Sequence, residues 1–158
     1  TRADGEPDLC EIGCVGRLTG FQETGDGRYL LTLSGVCRFR VLQEMETPEP
    51  FRRCEIAPFL ADLAAEPSDD SDGVNRDLLL DTFREFLQAN DLETDWDSIG
   101  RASNDVLVNS LSMLSPYGPA EKQALLEAED LRTRAETLIA ITQITLARQS
   151  DETPGTLQ

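Results

Sequence analysis

The sequence has no histidine, and only one of its 14 basic residues, Lys122, is a lysine. Without histidine there is no Ser-His or Cys-His pair to activate a nucleophile, and no imidazole to ligate a metal. A Ser-Lys dyad would have to recruit Lys122, which lies within AEKQALLEAED and reads as an exposed mid-helix residue. No apolar run approaches the ~20 residues of a membrane-spanning helix, and no signal-peptide pattern occurs. There is no G-x4-G-K-[S/T] phosphate loop. Gly13-Cys14-Val15-Gly16 and Gly25-Asp26-Gly27 are too short for a dinucleotide fingerprint and lie outside any βαβ unit. The run Asp69, Asp70, Asp72 lacks the spacing and closing glutamate of a calcium loop and reads as solvated linker. Four cysteines are present, and Cys14, Cys37 and Cys54 fall in strand-like runs, as reduced and buried small hydrophobes would. Cys10 and Cys14 form one C-x3-C with no second pair, a weak zinc signal. These absences lead to the expectation of no catalytic residue, no metal and no cofactor.

What is present is acidic. Thirty acidic residues against 14 basic give a net charge of −16, which repels phosphate backbones and argues against a general nucleic-acid binder; neither nucleic acid nor a membrane is an expected partner. The charge is uneven: residues 60–99 hold 12 acids and two arginines, whereas 28–53 hold five arginines and three acids. At 158 residues the chain can bury roughly 70% of its unfolded surface. That size fits one domain or two small packed subdomains.

The strongest pattern is GDGRYLLTLSGVCRFRV, Gly25 to Val41. Gly25-Asp26-Gly27 is a turn. After it Tyr29, Leu31, Leu33, Cys37, Phe39 and Val41 fall on alternate positions, which predicts one buried face. Arg28, Thr32, Ser34, Arg38 and Arg40 then occupy the wetter face, and Gly35 marks a bulge or bend. Residues 11–21 and 28–43 are expected to form an antiparallel hairpin, 51–56 a third strand and 60–65 a short helical turn. An acidic linker, 66–73, separates this β subdomain, 1–65, from a helical subdomain, 74–149. There the period changes to 3.6. Helices are expected over 74–89 (Asp72 as cap; Leu79, Phe83, Phe86 and Leu87 inward) and 104–114 (Val106, Leu107, Leu111 and Leu114 inward). Two more follow over 119–128, with Pro119 at its first position, and over 131–148, capped by Asp130. Trp96 and Ile99 make a short anchoring turn, and 150–158 reads as a disordered tail.

Three segments together resemble a known family. Val15-Gly16-Arg17-Leu18, Asp26-Gly27-Arg28-Tyr29-Leu30 and the run Leu33-Ser34-Gly35-Val36-Cys37-Arg38-Phe39-Arg40-Val41 are similar to the amino-terminal substrate-binding domain of the Lon ATP-dependent protease. The runs 107–114 and 119–128 resemble the helical part of the same domain, so the likeness spans about 11 to 148. It implies an α+β fold: a partly open, PUA-like antiparallel β-barrel followed by a four-helix bundle. It also implies that a first strand and helix belong before Thr1, leaving the barrel incomplete here. The polar ending reads as a true C-terminus, favouring a stand-alone protein of this family.

The function implied is a cytoplasmic, non-catalytic recognition module for unfolded or tagged polypeptides, or for a protease partner. Its expected contacts are Arg38, Arg40, Phe51 and Arg52. A homodimer formed by strand exchange would use the open barrel edge. A small-ligand sensor and an RNA-binding PUA-like domain are the rival readings. Replacing Arg38 and Arg40 by Glu is expected to weaken peptide capture with little change in melting temperature.

Overall fold

The computed structural model describes residue 5 and residues 7–63 and 73–152. The chain divides into two compact units, Thr1–Glu66 and Pro67–Gln158. The first holds strands β1 (Ile12–Glu23), β2 (Tyr29–Met45) and β3 (Arg53–Pro58), then a short 3-10 turn, Leu60–Leu63. The second holds α1 (Arg76–Ala89), α2 (Trp96–Arg101), α3 (Asn104–Leu114), α4 (Pro119–Glu127) and α5 (Leu131–Glu152).

The strands form an antiparallel sheet in the order β1-β2-β3, so β1 and β3 are both edges among the described residues. The architecture is α+β with an open three-stranded sheet; these strands do not close into a barrel. The β1–β2 turn forms where expected. Gly25 and Gly27 take φ of +78° and +82°, a region only glycine enters freely. Asp26 accepts from the Arg28 amide at 3.2 Å, and the Thr24 amide donates to the Arg28 carbonyl at 3.0 Å.

The bulge expected at Gly35 is present and has a larger consequence than the alternation suggests. Gly16 pairs with Gly35 while Val15 pairs with Cys37, so Val36 is the extra residue. One extra residue reverses the facing of everything beyond it. Tyr29, Leu31 and Leu33 therefore share a face with Arg38 and Arg40, and Cys37, Phe39 and Val41 lie on the opposite one. The single buried face expected from Tyr29 to Val41 is thus divided. Cys37 is buried, whereas Tyr29, Leu31 and Leu33 are exposed. The cysteine expectation needs the same correction: all four are free thiols, and only Cys37 is buried, with Cys54 half-buried and Cys10 and Cys14 exposed.

The helical unit has the denser core. Leu79 and Phe83 from α1, Leu107 and Val108 from α3, Leu125 from α4, and Ala135, Leu138 and Ile139 from α5 form one buried cluster. Val108 takes the inward place expected of Val106, which is exposed, as is Leu114. Among the described residues the helices number five rather than four, because the anchoring turn at Trp96 is a helix in its own right. Asp95 caps it by accepting from the amides of Asp97 at 3.0 Å and Ser98 at 3.2 Å. The α1 cap is Asn75, accepting from Leu78 at 3.1 Å; Asp72 and most of the linker lie outside the described residues. Pro119 opens α4. Asp130 caps α5 through the Thr133 amide at 2.7 Å. That helix runs past the expected end at Arg148 to Glu152, so only 153–158 of the expected tail remain, outside the described residues. Lys122 is not a free surface residue: its ammonium donates to the Ser112 carbonyl at 3.1 Å and to that of Met113, closing the end of α3. Among the described residues no helix is long and apolar enough to cross a membrane.

The caps give a pH prediction. Bonds from Ser98 hold the Asp95 carboxyl below its ordinary range, and bonds from Thr133 do the same for Asp130. A lowered folded-state pKa contributes stability that is present above the unfolded value near 3.8 and lost as pH falls through the folded value. Asn caps as well as Asp but does not titrate here. The Asp95→Asn/Asp130→Asn variant should therefore melt close to the parent at pH 6 and lose less melting temperature between pH 5 and pH 3. Circular dichroism melts at several pH values in that range read the slope, and equal slopes for the two proteins would remove the caps from the acid response.

Candidate functional site

Arg38 is committed to its own unit. Its guanidinium donates to Asp62 in a two-pronged pair, Nε to Oδ2 and Nη2 to Oδ1, both at 2.9 Å, and its backbone amide also reaches Oδ2 at 2.9 Å. It lies 5.3 Å from the Phe59 ring centre, and the Phe59 amide donates back to the Arg38 carbonyl at 2.9 Å. Both charged side chains are largely covered, at 14% and 23% exposure. The bond to Asp62 holds the Arg38 guanidinium above its ordinary pKa. This network fastens the 3-10 turn onto β2.

Arg52 is similarly engaged. It grips Glu44 at 2.6 and 2.9 Å and donates to the Pro7 carbonyl at 2.7 Å, tying the start of β3 to the end of β2. Arg40 is different: its ion pair to Glu11 at 3.1 Å is solvated, and the side chain is half exposed. Phe51 is exposed beside Arg52. The four residues do not form one cluster. Arg40 pairs with Ala57 near the end of β3, whereas Arg52 and Phe51 precede its start at Arg53. Four strand positions separate Arg53 from Ala57, about 13 Å.

Two register shifts shape a surface that alternation alone conceals: the one at Thr19 brings Phe21 onto the face of Leu18, and the one at Val36 turns Arg38 and Arg40 onto that face. Leu18 pairs with Leu33, and Phe21 with Leu31, on the face that continues to Arg38 and Arg40. Phe21 and Tyr29 pack ring against ring at 5.1 Å. These five side chains, Leu18, Phe21, Tyr29, Leu31 and Leu33, are 53–64% exposed, forming an apolar strip on the sheet. Single exposed hydrophobes are ordinary, but a contiguous group marks a contact surface. The clue in the sequence was Gly35 interrupting a long strand, and only the cross-strand pairing shows which way the faces turn. Among the described residues no cluster of three or more His, Cys, Asp or Glu could hold a metal ion.

Comparison with known proteins agrees with the architecture. The N-terminal domain of Mycobacterium avium complex Lon protease superposes with a TM-score of 0.60 at 18% identity, covering 87% of this chain and 73% of that one. The Lon N-terminal domain protein from Xanthomonas campestris gives 0.57 at 23% identity, covering 88% of this chain and 71% of that one. Both likenesses speak for the fold. No curated protein matches the chain. The family model for the ATP-dependent protease La (LON) substrate-binding domain matches residues 1–143, and the chain belongs to that family.

Proposed function

We propose that the chain is a non-catalytic recognition module that captures unfolded or tagged polypeptides on its β unit. The observation that supports this most directly is the exposed apolar strip from Leu18 to Leu33 on one face of an open sheet. An extended client can add main-chain bonds at a sheet edge while alternate side chains rest on the strip. Arg40 and Phe51 would contact the client beyond the strip. Arg38 and Arg52 act as positioning residues that hold the 3-10 turn and β3 in place. Family membership supports the recognition role, and the edge of β1, open among the described residues, suits a polypeptide better than a compact small molecule.

The test is binding to a permanently unfolded, carboxymethylated model protein, with its native form as control. Micromolar affinity for the unfolded form alone is expected. Leu33→Asp and Phe21→Ser change exposed positions, so each should leave the melting temperature within a few degrees while weakening capture about tenfold. Equal binding of native and unfolded protein, or unchanged capture by both variants, would end this reading. A strand-exchanged dimer would occupy the same edge, so sedimentation of the complex accompanies the assay, with capture by a monomer expected. An assembly with a protease partner would use the same surface and be lost with the same variants.

A further inference from the structure

The helical unit carries an apolar pocket that the polypeptide-capture reading does not use. It is a half-open cavity of about 240 Å³ whose walls include Phe86, Leu92, Trp96, Leu111 and Leu114. An engineered apolar cavity of ~150 Å³ takes benzene, so this space admits a phenyl ring or a branched aliphatic side chain with room to spare. Its wall has few polar groups, Glu93, Thr94 and Ser115. One lip is the segment DLETDWD, residues 91–97, where Asp91, Glu93, Asp95 and Asp97 stand with no basic residue among them. Asp95 is spent on capping α2. Glu93 lines the pocket and is exposed, as is Asp97, the residue after Trp96. Two cations stand nearby and both are engaged: Arg84 lies 4.7 Å from the Trp96 ring centre and pairs with Asp81, and Lys122 donates to the Ser112 and Met113 carbonyls. The pocket therefore joins an apolar floor to a negative lip.

We propose that this pocket receives a large apolar side chain, Phe or Leu, from a polypeptide segment flanked by Lys or Arg. This rests on the reading of the chain as a polypeptide-recognition module and adds a sequence preference to it. The apolar side chain supplies affinity by leaving water. The basic flanks choose among clients, because a segment flanked by acids would meet like charge at the lip. A second copy of this chain is a poor occupant, since a surface of net charge −16 repels itself.

The chain has a single tryptophan, and it lines the pocket, so its emission reports occupancy. The probes are the acetylated, amidated peptides Lys-Lys-Phe-Lys-Lys, Lys-Lys-Ala-Lys-Lys and Glu-Glu-Phe-Glu-Glu, titrated into the full chain. The first should shift Trp96 emission saturably, and the other two should bind at least about tenfold more weakly. Raising salt from 50 to 500 mM should weaken the first. Leu114 is 81% exposed, so Leu114→Asp leaves the fold intact while making the pocket wall polar, and should narrow the margin between the Phe and Ala peptides. Glu93→Lys should reduce the margin between the basic and acidic peptides. Equal binding of the Phe and Ala peptides, or a silent Trp96, overturns the proposal. If unfolded protein is still captured while Trp96 stays silent, the pocket assignment falls and the module reading stands. If Trp96 responds but unfolded protein is not captured, the strip is wrong and the pocket stands.

Discussion

Leu138→Ala should unfold most of the helical unit's margin of stability. Leu138 is completely buried, and α5, which carries it, packs against α1, α3 and α4. Removing its branched end leaves a void in the buried cluster it shares with Leu79, Val108 and Leu125, which these side chains cannot easily refill. Large-to-small changes at such sites cost about 2–5 kcal/mol. A unit of this size has few kcal/mol to lose. The neighbouring turn adds to the effect. Thr142, one turn along α5, is also fully buried and shares a hydrogen bond of 2.6 Å with the Tyr117 hydroxyl, so a shift of α5 also disturbs that polar contact. Urea unfolding followed at 222 nm should show a midpoint lowered by most of its value with the slope retained. Leu114→Ala is the matched control: the same chemistry at an exposed position should move the midpoint little. Similar losses for the two variants would mean that this cluster does not hold the helices together.

The sequence makes some of these features legible and hides others for physical reasons. Signals carried within a few residues are readable. Gly25-Asp26-Gly27 gives the hairpin turn because only glycine accepts the required positive φ. Pro119 and Asp130 mark helix starts through local sterics and capping. The change from period 2 to period 3.6 separates the two units. The motifs around Gly35 and the run 107–128 point to the family whose model covers residues 1–143. What is hidden depends on partners distant in sequence. Gly35 announces a bulge, but the reversal of faces at Val36 exists only relative to β1. That reversal parts Leu33 from Cys37 and puts it on the face of Arg38. Val106 and Val108 are equally apolar, and only the packing of the other helices chooses Val108. Lys122 looks solvent-facing until α3 ends within reach of its ammonium. The apolar pocket joins Phe86, Trp96 and Leu111 from three helices, and no spacing rule links them.

Arg38 shows best how a distant partner changes the meaning of a residue. Read as a surface arginine, it should tolerate Glu with little loss of stability. The structure instead sets it against Asp62, 24 residues away, with two guanidinium bonds and little solvent. Arg38→Glu removes both bonds and places a carboxylate where Asp62 expects a cation. Breaking a largely covered charged pair in this way should cost about 2–3 kcal/mol, less than for a pair with no solvent access. The 3-10 turn should loosen first, because Asp62 holds it to β2 and Phe59 stacks on the lost guanidinium. Arg40→Glu, opposite a solvated Glu11, should cost within about 1 kcal/mol. The double replacement of Arg38 and Arg40 therefore mixes two effects, and Arg40→Glu alone is the clean probe of client contact. Charge exchange separates pairing from mere size: Arg38→Glu with Asp62→Arg should recover part of the stability that Arg38→Glu loses. Hydrogen exchange of the Phe59 amide, which bonds the Arg38 carbonyl, reads the effect locally. Faster exchange in Arg38→Glu, slowed again in the exchanged pair and unaltered in Arg40→Glu, is the expected pattern. Unaltered exchange in all three would show that the turn is held without this pair, and would return Arg38 to the set of residues free to meet a client.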